Sequence, residues 1–312
     1  MADKKVIAVV GATGSQGGGL VRAILADPQS PYAVRALTRD PNSAKARALA
    51  DAGAEVVKAD VDSADSIASA FEGAYGAYCV TFFWDHFSPE REVASAKAMA
   101  EAAGRQGLQH VIWSTLEDTR LSIPLSDDRM PTLQGKYKVP HFDAKAEADE
   151  AFTSLPVTYL LTSFYWDNLI HFGMGPKRGD DGKLVFALPM GDRKLPGIAA
   201  EDIGRCAYGI FQRPELAGQR LGIAGEHLTG GEMAAALGEA FGEDVGYYPV
   251  PPAVYRTFGF PGADDLGNMF QYNHDFADEF SAVRSIPLSR QLNPKLQTFR
   301  QWLAAHKDQI AH

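Results

Sequence analysis

The segment that decides the fold is Val6-Ile-Ala-Val-Val10, which runs directly into Gly11-Ala-Thr-Gly14-Ser-Gln-Gly17. Five consecutive apolar residues rich in Val and Ile predict a buried parallel strand. The glycines that follow have the spacing G-x-x-G-x-x-G, and a helix is expected over residues 17–26. Gly11 permits a tight turn, Gly14 lets the backbone approach a pyrophosphate, and Gly17 lets helix and strand pack closely. Within a strand–turn–helix, this spacing indicates a dinucleotide-binding loop rather than ordinary turn glycines.

The start of the predicted helix supplies the means to hold phosphate. Its first backbone N–H groups have no partner within the helix, and its positive end attracts anions. We therefore expect phosphate contacts from the whole loop, namely Gly11, Thr13, Gly14, Ser15, Gln16 and Gly17.

Strands and helices alternate along the first half of the chain. Strands are predicted over residues 6–10, 33–37, 55–59, 76–83, 110–114 and 157–162, and helices over residues 17–26, 43–52, 65–72, 89–105 and 141–152. This alternation predicts an α/β fold with a Rossmann-type, doubly wound parallel sheet. The pattern loosens later, which predicts a dinucleotide-binding domain over residues 1–165, joined by strands from later segments, and a smaller C-terminal α+β domain over residues 166–312.

Elements are also expected in the second half. Strands are predicted over residues 183–188, 220–224 and 247–250, and helices over residues 201–211 and from Thr229 onward. The last helix is expected to begin with a capping box, Thr298-Phe-Arg-Gln301.

Residues 116–140 interrupt the alternation. They contain three prolines, the adjacent Asp127 and Asp128, and little periodicity. A long loop at the rim of the expected site predicts a segment of low stability that bound cofactor would order.

Composition excludes several classes of protein. The 312 residues carry a net charge of −9, which argues against nucleic acid as a direct partner. The two cysteines form neither a disulfide framework nor a zinc motif, so no metal is expected and a reducing, cytoplasmic setting is predicted. No apolar run approaches the ~20 residues of a membrane span, and residues 1–5 lead straight into the first strand, so neither a membrane segment nor a secretory leader is expected.

Arg39, after the second predicted strand, favours NADP(H) over NAD(H). Folds that bind NAD commonly place an acidic residue here for the ribose hydroxyls, whereas an arginine can pair with a 2′-phosphate and stack on adenine. Lys45 can add positive charge. Asp40 is the counter-argument, because a carboxylate can accept from ribose hydroxyls, and an exposed arginine without a ligand is the alternative.

Asp60 and Val61 follow the third predicted strand and are expected near the adenine edge. Asp60 can accept a hydrogen bond from the exocyclic amine of adenine. An equally good interpretation is a helix cap or a turn aspartate.

Several motifs together resemble the NmrA-like family, whose members are atypical short-chain dehydrogenases/reductases. Those along the first half are Gly11–Gly17, Thr38-Arg39-Asp-Pro41, His141-Phe-Asp-Ala-Lys145 and Asp167-Asn168. Three C-terminal stretches resemble the redox-sensing members of the family: Gly259-Phe-Pro-Gly262, Asp265-Leu-Gly-Asn-Met-Phe270 and Leu292-Asn-Pro-Lys295.

The resemblance implies a fold and a cofactor more firmly than a reaction. The family includes NADP(H)-sensing regulators, and its close relatives include quinone, triphenylmethane dye and isoflavone-type reductases. The resemblance implies that Lys145 reaches the nicotinamide ribose. It further implies cofactor contacts from two strand ends: Thr81, Phe82 and Phe83 after the fourth strand, and Tyr165, Trp166, Asp167 and Asn168 after the sixth.

The sequence departs from the family pattern at two places. A second cofactor-contacting lysine of sensor-type relatives aligns with Ala94, with Lys97 one turn further on. Phe82 stands where a polar residue can occur. Both changes bear on cofactor affinity and on the shape of the pocket.

The usual catalytic pair of short-chain dehydrogenases, Tyr-x-x-x-Lys, is absent. No tyrosine has a lysine four residues later, and the matching position holds His141 before Lys145. Histidine can act as an acid or base near neutral pH, although His141 can equally cap or pack at a helix start. Ser114 and Tyr137 are further polar candidates without a fixed role.

Two functions are consistent with these features. The first, slightly favoured by the sequence, is an NADP(H)-reading redox sensor that acts through a protein partner. The second is an NADPH-dependent reductase of quinones or similar flat aromatic acceptors. Aromatic residues near two strand ends can stack on such a substrate, although core packing explains at least half of them: Phe82, Phe83, Trp84, Phe164, Tyr165 and Trp166.

Overall fold

The structure is a computed structural model that describes residues 4–312. Residues 1–3, part of the segment in which no leader is expected, lie outside the described residues. The first part of the chain contains β1 (Lys5–Val9), α1 (Ser15–Leu25), β2 (Tyr32–Thr38), α2 (Ala44–Asp51), β3 (Glu55–Lys58), α3 (Ala64–Phe71), β4 (Gly76–Cys79), α4 (Phe83–His86), α5 (Pro89–Arg105), β5 (His110–Thr115), α6 (Pro140–Ala148) and β6 (Val157–Leu161).

The second part is less regular. It contains β7 (Phe164–Tyr165), α7 (Asn168–His171), β8 (Lys177–Arg178), β9 (Leu184–Ala187), β10 (Lys194–Ile198), α8 (Ala200–Phe211), β11 (Arg220–Gly222), β12 (Glu226–Thr229), α9 (Gly230–Phe241), β13 (Val245–Tyr248), α10 (Pro252–Tyr255), α11 (Ala263–Asp275), α12 (Ala277–Val283), α13 (Ile286–Leu292) and α14 (Phe299–His306). The expected capping box is present at the start of α14, where Thr298 and Gln301 exchange hydrogen bonds.

A seven-stranded parallel sheet organises the first part. Its strand order is β11-β6-β5-β4-β1-β2-β3, and every neighbouring pair runs parallel. The chain leaves β1 in one direction toward β2 and β3 and in the other toward β4, β5 and β6. This topology confirms the predicted doubly wound Rossmann sheet, and it opens a crevice at the carboxyl ends of β1 and β4.

Later segments return to this sheet, as predicted. β11 pairs with the edge strand β6, and α8 packs against α1. Gly19 and Gly204 meet at that helix contact, since a Cβ on Gly204 would lie 2.6 Å from the Cα of Gly19. Two small residues therefore bring the helix axes close together. The division into domains at residue 165 stays a prediction.

The second part builds a smaller unit beside the crevice. Its two three-stranded sheets have the orders β12-β10-β7 and β13-β9-β8, and an apolar cluster joins them to α9, α11, α12 and α14. The sequence patterns missed β7, β8, β10, β12 and all four helices between α9 and α14. They also extended β4 too far, because residues 80–82 turn away from the sheet and α4 begins at Phe83.

The segment over residues 116–139 packs against the fold through buried side chains. Ile123, Met130 and Tyr137 are each at most 1% exposed. The ammonium of Lys138 donates to the carbonyls of Asp127 and Met130, both at 2.8 Å. The expectation that bound cofactor orders this segment stays a prediction. Tyr137 is held here, with its hydroxyl 3.3 Å from Glu147, and does not line the cavity described below.

A side chain from α6 further anchors this segment. The Asp143 carboxylate accepts hydrogen bonds from the backbone and hydroxyl of Thr119 and from the backbone N–H groups of Lys138 and Val139. Asn268 in α11 donates to the carbonyls of Pro131 and Lys138.

Among residues 4–312, no helix is long and apolar enough to cross a bilayer. Within the same range, no cluster of three or more His, Cys, Asp and Glu side chains could hold a metal ion.

Candidate functional site

A cavity of about 480 Å³ lies at the carboxyl ends of β1, β4, β5 and β6. Its size is within the usual range for ligand pockets. It brings together most of the residues that the sequence assigned to the cofactor or to chemistry: Gly11, Gly14, Ser15, Gln16, Gly17, Thr81, Phe82, Phe83, His141, Lys145, Tyr165, Asp167 and Asn168. Helices α11 and α12 of the smaller unit close its far side.

The glycine loop forms a tight cradle at one end of the cavity. Gly11 has φ +66°, and its carbonyl accepts from the N–H of Gly14 at 2.8 Å. A Cβ on Gly17 would lie 2.5 Å from that same carbonyl oxygen. Gly14 caps α1 without a side-chain hydrogen bond, so the first N–H groups of the helix are available to an anion.

The side chain of Gln16 faces the sheet and is already satisfied there. Its Nε2 donates to the hydroxyl of Tyr165, and its Oε1 accepts from the hydroxyls of Tyr78 and Ser114. Burial raises the pKa of both tyrosines, so both phenols stay neutral. Gln16 can therefore meet a phosphate through its backbone, and Ser114 acts as one of the anchors of its side chain.

Lys145 is held by a buried acid that the sequence analysis missed. Its Nζ donates to Thr81 Oγ1 at 2.6 Å and lies 2.8 Å from Glu92 Oε1. Thr81 in turn donates to the same carboxylate oxygen at 2.5 Å. The Glu92 side chain is 0% exposed, and its Oε2 has no hydrogen-bond partner among the described residues.

A sequence signal for Glu92 existed. It lies in the first turn of α5, on the stripe that also buries Pro89, Ala96, Met99 and Ala103. A carboxylate at an otherwise apolar position of a helix needs a compensating cation. His86 is the second group nearby, with Nε2 3.6 Å from Glu92 Oε2. Burial lowers the pKa of His86, an effect that the negative charge of Glu92 opposes.

His141 is paired with Asp265, a second acid that the motif analysis did not assign to the site. Asp265 Oδ1 lies 2.6 Å from His141 Nδ1, and Oδ2 accepts from the backbone N–H of His141 at 3.2 Å. The imidazole also packs against Trp84, with ring centroids 4.8 Å apart. The pair joins α6 of the Rossmann unit to α11 of the smaller unit.

Of the residues predicted for the adenosine, Lys45 lines the cavity, whereas Arg39, Asp60 and Val61 do not. Arg39 is exposed and forms an ion pair with Asp85 at 2.9 Å. The Asp60 carboxylate accepts from the backbone N–H of Asp62 at 3.1 Å, as a turn aspartate does, and Val61 lies next to it on the same turn. Contacts of Arg39, Asp60 and Val61 with a nucleotide stay predictions.

Two other assigned residues lie outside this cavity lining. Thr13 lines a neighbouring groove between α1 and α2. Trp166 is a correction: its indole is 1% exposed and packs in the core of the smaller unit against Phe299 and Trp302. Tyr165 is the last residue of β7 and faces the cavity, and the next side chain along a strand points to the opposite side, which here is the core. Asp167 caps α8 by accepting from the N–H of Ala200 at 2.8 Å.

The end of the cavity away from the glycine loop is mostly apolar. Its walls are formed by Trp84, Leu116, Phe142, Phe164, Phe172, Met174, Leu266, Met269 and Phe280. Asn273 is the polar exception on α11. Its side chain is buried, at 2% exposure, and Oδ1 has no partner among the described residues. A buried amide oxygen without a partner is costly, and a bound ligand can satisfy it.

Comparisons with known proteins agree with this architecture. The sequence profile described as the NmrA-like family matches residues 3–303. An NmrA-like family domain-containing oxidoreductase, FrzB of Cladobotryum sp., is 30% identical over 296 residues, which is 89% of this chain and 86% of FrzB. The similarly named ptmS of Penicillium ochrochloron is 27% identical and covers 96% of this chain and 97% of its own.

Solved structures share the fold at low identity. NmrA, a negative transcriptional regulator, superposes with a TM-score of 0.78 at 23% identity over 97% of this chain and 95% of its own. The Citrobacter sp. triphenylmethane reductase, solved in complex with NADP(H), superposes with a TM-score of 0.75 at 19% identity over 96% and 99%. Both a regulator and a reductase therefore have this fold. The family resemblance that the motifs suggested is confirmed, and this chain belongs to the NmrA-like family.

Proposed function

We propose that the chain is an NADP(H)-dependent oxidoreductase that reduces flat aromatic acceptors. The observation that carries the proposal is one continuous cavity that joins the glycine cradle to an apolar, aromatic-lined end, with the Lys145 ammonium between them. The oxidoreductase names of the relatives that are similar over most of the chain support it.

The residues fit a dinucleotide. The cradle leaves no room for a Cβ at Gly17, and the uncapped start of α1 offers N–H groups to a pyrophosphate. Lys145 would donate to the nicotinamide ribose, and Tyr165 and Asn168 would flank the nicotinamide. Bound NADPH supplies a hydride.

Glu92 positions Lys145 for this task. The Thr81 hydroxyl accepts one ammonium proton, and the buried Glu92 carboxylate holds the ammonium in place as an ion pair at the wall of the cavity, which Lys145 lines. An ammonium fixed in this way binds a ribose hydroxyl without first losing side-chain freedom.

Arg39 would select NADP(H). Arg39→Ala is expected to weaken NADP+ binding about 10- to 100-fold, the loss of one charge-assisted contact, and to leave NAD+ binding unchanged. Calorimetric titration measures both affinities. Asp85→Asn should tighten NADP+ binding, because it frees Arg39 from its partner. Arg47→Ala, at an exposed position of α2, is the matched control. If the wild type binds NADP+ and NAD+ with equal affinity, Arg39 does not select the 2′-phosphate.

Asn273 would select acceptors with a polar group at the far end. Asn273→Leu keeps the number and branching of the side-chain heavy atoms and is expected to lower kcat/KM about 10-fold or more for acceptors with such a group, since a polar substituent would lose its partner. Acceptors without the group should react equally well or faster. Met269→Leu, a volume-conserving change in the same wall of the cavity, is the control. If kcat/KM changes by the same factor for both acceptor types, Asn273 contributes to packing and does not select the acceptor.

The direct test of the proposed function is NADPH oxidation against a panel of quinones, triarylmethane dyes and aromatic carbonyls. We expect turnover with at least one flat aromatic class and little with small aliphatic alcohols and ketones, because these cannot fill the aromatic-lined end. Binding of NADPH without oxidation by any class would contradict the proposal.

Redox sensing is the second candidate, and the Arg39–Asp85 ion pair favours it. This exposed pair links the end of β2 to α4. A 2′-phosphate that draws Arg39 away would release α4 and change the adjoining surface. Ordering of the segment over residues 116–139 by bound cofactor, which the sequence suggested for a sensor, stays a prediction. Hydrogen exchange over residues 83–87 tests this role: NADP+ should change it and NAD+ should not, whereas identical exchange contradicts a sensor based on this pair.

A further inference from the structure

We infer that Asp265 and His141 form the proton-donating pair of this site, in place of the missing tyrosine. The inference rests on the proposed function, and it assigns His141 as the catalytic acid and Asp265 as its positioning residue.

The geometry fixes the ring and its proton positions. The 2.6 Å contact between Asp265 Oδ1 and Nδ1 places a proton on Nδ1 and compensates the charge of an imidazolium. Nε2, on the opposite edge, has no partner among the described residues and is not fully enclosed, and the ring lines the cavity. The atom free to exchange a proton is therefore the one accessible from the cavity.

The position of His141 along α6 also suits proton donation. His141 and Lys145 are four residues apart on one helix, so both side chains lie on the same face. Phe83 and Trp84 pack against the imidazole, with centroids 5.8 and 4.8 Å away. A flat acceptor placed beside the nicotinamide would be flanked by this ring.

The loop before α11 is built to bring Asp265 here. Gly262 caps α11 with φ +81°, and a Cβ on it would lie 2.8 Å from the Trp84 indole. Glycine thus permits both the left-handed turn and the close approach. Asp265 then lies in the first turn of α11, where the helix dipole favours a negative charge.

Bound NADPH would supply a hydride to the carbonyl carbon of an aromatic aldehyde or ketone, and the C=O π electrons would move to oxygen. Imidazolium Nε2–H gives its proton to that oxygen, which leaves an alcohol, NADP+ and neutral His141. Water then returns a proton to His141.

A purely structural role is the competing explanation. Asp265 also accepts the backbone N–H of His141, and Val139, the N-cap of α6, supplies no side-chain cap. A structural pair would affect all acceptors alike. A proton donor would affect only acceptors that need a proton.

The experiment compares two acceptor types. An aromatic aldehyde needs both hydride and proton, whereas a cationic triarylmethane dye needs hydride alone. His141→Gln is expected to lower kcat for the aldehyde about 10²-fold or more, and Asp265→Asn about 10-fold. Because His141 also lines the acceptor end of the cavity, the decisive quantity is the ratio of the two losses: in each variant kcat for the aldehyde should fall clearly more than kcat for the dye. Tyr165→Phe, at the phenol that lines the cavity, should affect the aldehyde less than His141→Gln.

Two readouts exclude a folding effect: the calorimetric affinity for NADP+ and the thermal midpoint, which should stay close to those of the wild type in His141→Gln. Equal losses for dye and aldehyde, a dominant effect of Tyr165→Phe, or a wild type that reduces dyes but no carbonyl would each overturn the inference while the proposed function survives. If the wild type fails to oxidise NADPH with every acceptor tested, both the inference and the proposed function are overturned.

Discussion

Lys145→Met is expected to destabilise the protein by about 3–5 kcal/mol, because it leaves the Glu92 carboxylate buried without its cation. Among residues 4–312, Thr81 would then be the one hydrogen-bond donor left to that carboxylate, with His86 Nε2 3.6 Å from its other oxygen. Denaturant unfolding of the variant and the wild type measures the difference. Cofactor affinity should fall as well, since the ribose contact is lost.

A double variant separates the two effects. In Lys145→Met/Glu92→Gln the charge pair is replaced by a neutral side chain and an amide that Thr81 can still reach, so most of the stability should return while cofactor affinity stays low. Lys97→Met, at an exposed position of α5, is the control and should change little. If Lys145→Met unfolds at the same denaturant concentration as the wild type, Glu92 does not depend on this lysine.

Gly17→Ala is the second large effect. The new Cβ would lie 2.5 Å from the carbonyl oxygen of Gly11 and 2.8 Å from that of Val10, and neither backbone atom can move without displacing the loop. We expect a stability loss of about 1–3 kcal/mol from overpacking and the loss of measurable NADP+ binding at concentrations that saturate the wild type.

The matched control is Gly104→Ala. This glycine also lies inside a helix, α5, but its Cβ would meet only Leu155 Cδ2 at 3.6 Å, an ordinary contact. Removal of a helix-interior glycine should stabilise by about 0.5–1 kcal/mol and leave NADP+ binding unchanged. Full NADP+ affinity in Gly17→Ala would show that the cradle is not the phosphate site.

Local patterns predicted the sheet and one end of the cavity. The apolar runs of β1 to β6 and the glycine spacing are set by residues close together in sequence, so periodicity and turn chemistry were sufficient. The same holds for the capping box of α14, where Thr298 and Gln301 are three residues apart.

The remaining features depend on contacts between distant residues. Asp265 meets His141 across 124 positions, and no local rule brings α11 to α6. The sequence predicted low stability for residues 116–139 because the side chains that bind their backbone, those of Asp143 and Asn268, lie outside the segment. Trp166 looked like a ligand residue because its neighbour Tyr165 faces the cavity, whereas its own indole lies in the core.

The central claim is that the cavity holds NADPH and passes its hydride to an aromatic acceptor. Single-turnover mixing of NADPH-loaded protein with an acceptor from the panel, followed by the absorbance of the reduced nicotinamide, tests it most directly. We expect a rapid loss of one reduced nicotinamide per chain, and no such loss in Gly17→Ala. Bound NADPH that persists with every acceptor would contradict it.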